Sequence, residues 1–242
     1  MTLIKSISGI RGTIGGNISN NLTPLDTVLF TSAYACWLKK TIKAKQYKVV
    51  VGRDARVSGN MIQGLVNQTL VGYGIDVLDV GLSTTPTVKL AVTQHQAHGG
   101  IIITASHNPY HDNGFKAYFC DGGQIVPPHA NKVVEYFDKI STEDILRWFE
   151  GEGSTEEFTI LSTQDDLSYL ATLEEAVFSP DLIKDHPPKI IFSPIHGTGS
   201  ISTVPSLLDH GVDVKVVKSQ NTFDSNFSSV ESPNPENKEA LS

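Results

Sequence analysis

Cysteine, methionine and tryptophan are scarce, two of each in 242 residues. Cys36 and Cys120 are too few and too far apart for a metal ribbon or a disulfide framework, which predicts a reducing, cytoplasmic setting. Basic residues are also short: 19 Lys and Arg stand against 26 Asp and Glu. A net charge of −7 argues against a surface that grips a phosphate backbone, so no nucleic-acid partner is expected. Apolar runs such as 49–51 and 101–103 stop after a few residues, far below the ~20 that cross a bilayer, and no membrane segment is expected. Residues 1–12 carry Lys5 and Arg11 without an apolar stretch, so no secretory leader is predicted. What is present is 39% hydrophobic against 19% charged residues, which is enough for a sizeable core and shows no sign of disorder. The length suits one large domain or two ordinary ones.

Thr23-Pro24-Leu25-Asp26 supplies a cap, a proline at the first helical position and an acid in the first turn. Leu25, Val28, Leu29, Ser32 and Cys36 follow at helical spacing. Residues 47–52 form a β-branched run closed by Gly52 and read as a buried strand. A helix over 58–74, a strand over 76–81, a helix over 85–95 and a strand over 101–104 complete the pattern. Such alternation predicts an α/β fold: a mixed, mostly parallel sheet with helices on both faces. Residues 113–119 and 124–126, joined through Asp121-Gly-Gly123, read as an antiparallel hairpin at its edge. Helices are expected over 127–140 and 142–149. The acidic, glycine- and serine-bearing stretch 150–166 reads as a linker, dividing the chain into domains 1–155 and 156–242. In the second, a helix over 165–178, strands at 189–192 and 213–218 and a helix over 200–210 make one further βαβ unit, and Pro233 opens another helix. A parallel sheet of two strands does not close a stable core, so this domain is expected to be incomplete.

Thr104-Ala-Ser106-His107-Asn108-Pro109 follows the third parallel strand, at the sheet edge where ligands bind in open α/β folds. Its serine suits a nucleophile, a phosphate carrier or a plain turn. The Gly-x-Ser-x-Gly elbow of a hydrolase is missing. Asn113-Gly-Phe-Lys116 begins the next strand close enough to return over Ser106, and a lysine crowded by other cations can serve as a general acid/base, whereas a solvated one cannot. Arg11 in Ser8-Gly-Ile-Arg11-Gly12 and Arg53 and Arg56 in Gly52-Arg53-Asp54-Ala-Arg56 are read as loop arginines. On glycine loops of an acidic protein they suit an anionic, phosphorylated ligand, and a structural ion pair to Asp54 is the alternative. His196-Gly-Thr-Gly199 fits a tight turn or a phosphate cradle at a helix start.

Together, Ser8-Gly-Ile-Arg-Gly12, Gly52-Arg-Asp-Ala-Arg56, the Ser106 loop with Asn113-Gly-Phe-Lys116, and Pro233-Asn-Pro-Glu236 resemble the α-D-phosphohexomutase superfamily of phosphoglucomutases, phosphomannomutases and phosphoglucosamine mutases. The resemblance implies that Ser106 carries the phosphoryl group in a loop shaped by His107 and Asn108. It implies that Lys116 is the general acid/base and that Arg11 approaches the phosphoserine. Arg53, Arg56, Asn108 and Asn113 are the implied phosphate-loop residues. The implied partners are a hexose phosphate and a hexose bisphosphate, and the implied cofactor is Mg2+, held here only through the phosphate on Ser106. The superfamily's Asp-x-Asp-x-Asp metal loop does not occur in this sequence. The chain therefore resembles the N-terminal half of a mutase and is expected to be inactive alone. A short, non-catalytic phosphosugar-binding or partner-binding module is the alternative.

Overall fold

The computed structural model describes residues 2–6, 9–149, 158–161, 164–177 and 179–241. In chain order its elements are β1 (Ile4–Ser6), β2 (Gly9–Thr13), α1 (Pro24–Thr41), β3 (Tyr47–Arg53), α2 (Gly59–Gly72), β4 (Ile75–Leu82), α3 (Thr85–Gln94), β5 (Gly99–Ile103), β6 (Asp112–Phe119), α4 (His129–Lys139), α5 (Thr142–Phe149), β7 (Phe158–Ile160), α6 (Gln164–Glu175), α7 (Pro180–Asp185), β8 (Lys189–Phe192), α8 (Gly199–Asp209) and β9 (Asp213–Val216). Seven strands share one sheet in the order β1-β2-β6-β5-β3-β4-β7. Strands β5, β3, β4 and β7 run parallel, and β6, β2 and β1 continue the sheet antiparallel. The mixed α/β sheet expected from the sequence is the one found.

Strand β3 is nearly all valine because helices cover both of its faces. Val49 and Val51 enter the layer built with α1, α2 and α4, while Val50 and Ile102 meet Val88, Ala91 and Val92 of α3. Each fully buried aliphatic side chain of this kind is worth roughly 1.5–3 kcal/mol. Helix α1 starts where expected, in a reciprocal capping box between Thr23 and Asp26. From β3 the chain crosses to β4 on one side and returns through α3 to β5 on the other. The strand order therefore reverses between β3 and β5, and the loops after Arg53 and Ile103 open at that crevice.

The structure departs from expectation in several places. Arg11 is not on a loop: it lies in β2, a strand paired with β6. Residues 124–126 contribute one bridge, Tyr118 to Gln124, rather than a second hairpin strand. Of the linker expected over 150–166, residues 150–157 and 162–163 lie outside the described residues. Residues 158–160 pair with β4, and α6 packs on α3, where His95 Nε2 and Asp165 Oδ1 stand 2.6 Å apart. The helix expected from Pro233 is a single 3-10 turn at Lys238–Leu241. The second unit joins β8 and β9 in parallel through α8. Among the described residues no helix is long and apolar enough to cross a membrane.

Candidate active site

Ser106 follows β5 in the left-handed region, φ 56°, a conformation unusual for a side chain with a β-carbon. Its N–H donates to Thr104 Oγ1 at 2.8 Å, and its side chain is exposed. His107 Nδ1 stands 3.5 Å from Ser106 Oγ, too long for an activating hydrogen bond. What fixes the loop is Arg56, only 3% exposed. Its Nη1 donates to the carbonyls of Pro109 and Asp112 at 2.7 and 2.8 Å, and its Nη2 to those of Ser106 and Asn108 at 2.9 and 2.7 Å. Its Nε lies 3.3 Å from Asp54 Oδ2. Its four Nη–H groups are thus engaged by carbonyls, while Nε, within ion-pair distance of Asp54, is buried without a hydrogen bond among the described residues. The ion pair with Asp54, one of the two alternatives for this residue, is present. Burial pulls the Arg56 guanidinium below its ordinary value and pushes the Asp54 carboxyl above its own, with the pair's attraction opposing both.

Arg53 is likewise engaged, with Nε on Gln63 Oε1 at 3.0 Å and Nη1 on the Asp54 carbonyl at 3.1 Å. Asn113 is fully buried: its Nδ2 donates to Ser58 Oγ at 2.8 Å, tying β6 to the start of α2. Arg56 and Asn113 thus support the loop from behind, and Arg53 holds Gln63 and the Asp54 carbonyl. Asn108 bridges, accepting from Arg11 Nη1 at 3.0 Å and donating to Asp112 Oδ2 at 2.9 Å.

Arg11 and Lys116 share one face of the sheet because Arg11 pairs with Gly114, two residues before Lys116. Glycine is required there: a Cβ on Gly114 would sit 2.1 Å from the Ile10 carbonyl oxygen. Both side chains line a cavity of about 190 Å³ with Thr104 and Phe115. Lys116 is half-buried and forms no hydrogen bond or ion pair among the described residues. Ser106 and His107 line a second cleft, of about 340 Å³, whose opposite wall is Ser193, Ile195, His196, Asp224, Phe227 and Pro235 of the second unit. Among the described residues none lines both spaces, and Asn108 of the Ser106 loop reaches Arg11 of the first. Asp112, Thr104, Asp224 and Phe227 were not singled out from the sequence. Asp112 and Phe227 meet Thr13 and Arg56 from distant segments, for which the chain carries no local signal, whereas Thr104 and Asp224 bond residues two to four positions away.

A model of phosphoglucomutase/phosphomannomutase alpha/beta/alpha domain I matches residues 3–144, and the model of domain II of the same family matches residues 167–242. The chain belongs to the phosphoglucomutase/phosphomannomutase family. A phosphomannomutase of Mycoplasma pneumoniae is 28% identical over 96% of this chain and 42% of its own length. A phosphoglucomutase of Staphylococcus haemolyticus is 33% identical over 80% of this chain and 35% of its own. The chain thus spans under half the length of these relatives. A phosphoglucomutase/phosphomannomutase family protein from Burkholderia thailandensis shares the fold with a TM-score of 0.71 at 20% identity, over 94% of this chain and 46% of its own.

Magnesium, which phosphohexomutases of this family generally require, does not fit the residues of this chain taken alone. A magnesium site needs several converging oxygens. Asp54 serves Arg56, and Asp112 uses one carboxylate oxygen for Thr13 and the other for Asn108. Among the described residues no three His, Cys, Asp or Glu side chains converge.

Proposed function

We propose that this chain is the phosphoryl-carrying portion of a phosphohexomutase, an isomerase interconverting hexose 1-phosphate and hexose 6-phosphate through a phosphoserine and a hexose bisphosphate. The observation that carries the reading is Ser106 itself: an exposed hydroxyl at the strand-order reversal, on a loop whose carbonyls are locked from behind by Arg56. A phosphoserine is stable to water until aligned, so catalysis here rests on positioning and charge. The phosphoryl group leaves Ser106 Oγ for a free hydroxyl of the hexose phosphate. The proton of that hydroxyl passes to Lys116 acting as base, and Lys116 acting as acid returns a proton to the departing Ser106 Oγ. The bisphosphate turns over and returns its other phosphoryl group to Ser106. Arg11 supplies positive charge beside the loop through its contact with Asn108. Sustained turnover needs the substrate held in both orientations, and this chain, which spans under half of its relatives, is proposed to lack it.

Intact-mass spectrometry with peptide mapping, after incubation with a hexose bisphosphate, tests the assignment. One phosphate on Ser106, absent in Ser106→Ala, is expected, and phosphate on another serine overturns it. In the longer enzyme Lys116→Met is expected to cut kcat by roughly 10²-fold, the usual scale for a lost general acid/base, with the melting temperature unchanged. Near-normal turnover returns Lys116 to an ordinary surface residue.

A further inference from the structure

The cleft wall facing Ser106 is held by a histidine to which the proposed chemistry gives no role. His196 is 3% exposed and adopts the left-handed conformation, φ 59°, after Ile195 at φ 44°. Its N–H donates to the Gln220 carbonyl at 2.9 Å. Its ring makes contacts at both ends of one segment: Nδ1 lies 2.8 Å from the Thr222 carbonyl and Nε2 lies 2.6 Å from Ser229 Oγ. Nδ1 faces an acceptor and so carries the proton in the neutral ring, which leaves Nε2 to accept from the Ser229 hydroxyl. One side chain thereby closes residues 222–229 into a loop. Inside it, Asp224 takes the N–H groups of Asn226 and Ser228 at 2.9 Å each, so the loop's own backbone is braced as well.

What this loop touches gives it a purpose. Ser225 Oγ donates to the Ala55 carbonyl at 2.7 Å, a direct bond from the second unit to the segment that carries Arg56. Phe227, its φ also positive at 54°, packs its ring 6.5 Å from that of His196 and 5.4 Å from the Arg56 guanidinium carbon. Arg56 in turn holds four carbonyls of the 106–112 loop. Contacts therefore run without a gap from His196 through Phe227 and Arg56 to Ser106. An aromatic face over a desolvated guanidinium attracts it and restricts its rotation.

We propose that residues 222–229 form a clasp through which the second unit fixes the geometry of the Ser106 loop, with His196 as the positioning residue that keeps the clasp closed. The consequence for Ser106 chemistry rests on the function proposed above; the mechanical coupling does not. Phosphoryl transfer from a serine needs alignment more than it needs a reactive side chain, so a support that reaches the loop from across the cleft sets the rate without touching the substrate.

Amide hydrogen exchange on the whole chain, read peptide by peptide, tests the clasp apart from the activity. Ser225→Ala removes only the bond to Ala55, and Phe227→Leu only the ring over Arg56. Each is expected to speed exchange in 105–112 by about threefold to fivefold, the scale of one lost net contact, while the peptides of β8 and α8 stay at wild-type protection. His196→Ala is expected to speed exchange in 105–112 and 222–229 together. Unchanged exchange in 105–112 in Ser225→Ala and Phe227→Leu overturns the clasp, whatever His196→Ala does to the second unit. The rate at which Ser106 takes up phosphate from a hexose bisphosphate is expected to fall in the same order as the exchange rises. If the wild-type chain takes up no phosphate at Ser106, the proposed function fails while the exchange result still decides the clasp.

Discussion

The strands that present Ser106 are enclosed on both faces, with Val49, Val50, Val51 and Ile101 fully buried. Those of the second unit are not: along β8 and β9 exposed residues alternate with half-buried ones, and Ile191 is 78% exposed. Different forces therefore hold the two walls of one cleft. Apolar burial fixes the wall that carries the proposed nucleophile. The facing wall is held largely by directed polar contacts: His196 to Thr222 and Ser229, Ser193 to Gln220, and Asp224 to its own turn. Burial is insensitive to direction and hard to undo locally, whereas a wall made of hydrogen bonds can be adjusted one contact at a time. The contrast places rigidity where the covalent chemistry is proposed and leaves the opposite side more easily moved.

The largest test of this contrast is Arg56, a buried cation behind the apolar wall. Arg56→Ala leaves Asp54 without its countercharge and four carbonyls without donors, and denaturant unfolding is expected to lose about 3–5 kcal/mol. Arg56→Lys keeps the charge but not the fork, so it should fall between. A loss below about 1 kcal/mol for the alanine variant would mean that the loop does not depend on this guanidinium. Next in size is a matched pair of isoleucines. Ile102→Ala in β5 should cost about 2–5 kcal/mol by the same measurement, and Ile191→Ala in β8 less than about 0.5 kcal/mol. Equal losses would erase the distinction between the walls.

The smallest effect is in acid, where the two walls should respond with opposite sign. Asp54 titrates above its ordinary 3.8 because burial disfavours its charge, so its unfavourable contribution is relieved as the pH falls through its folded value. Asp224 is held down to about 2 by the Ser228 hydroxyl and the Asn226 and Ser228 N–H groups. Its favourable contribution is complete above the unfolded value of 3.8 and is lost as the pH falls toward 2. Carboxylate NMR titration should find Asp54 above and Asp224 below 3.8. The reverse order would break the picture.

Strands β3 and β5 were legible in the sequence because a parallel strand covered on both faces must be an unbroken apolar run. Helix α1 was legible because Thr23, Pro24 and Asp26 write its start locally. The N-terminal strands were not. Gly9 and Gly12 read as loop residues, yet they permit close backbone pairing: a Cβ on Gly9 would lie 1.9 Å from the Phe115 carbonyl oxygen. The partner strand lies about a hundred residues along the chain, out of reach of any periodicity. For Arg56 the ion pair to Asp54 was legible as an alternative, but its four carbonyl contacts were not. A buried arginine that gathers carbonyls from 50 residues away has the same local sequence as one that waits for a phosphate. His196 was recognised as a turn residue, which its positive φ bears out, but its ring partners at 222 and 229 left no trace nearby.

The grip of Arg56 also gives the Ser106 loop a polarity. In a trans peptide the carbonyl and the N–H of one plane point in opposite directions. Because the oxygens of Ser106 and Pro109 are drawn back onto the guanidinium, the N–H groups of His107 and Tyr110 face the other way. The buried cation thus acts at second hand: it orients neutral dipoles whose positive ends point away from it. An arginine whose Nη–H groups are taken up by carbonyls would in this way still shape the field around Ser106.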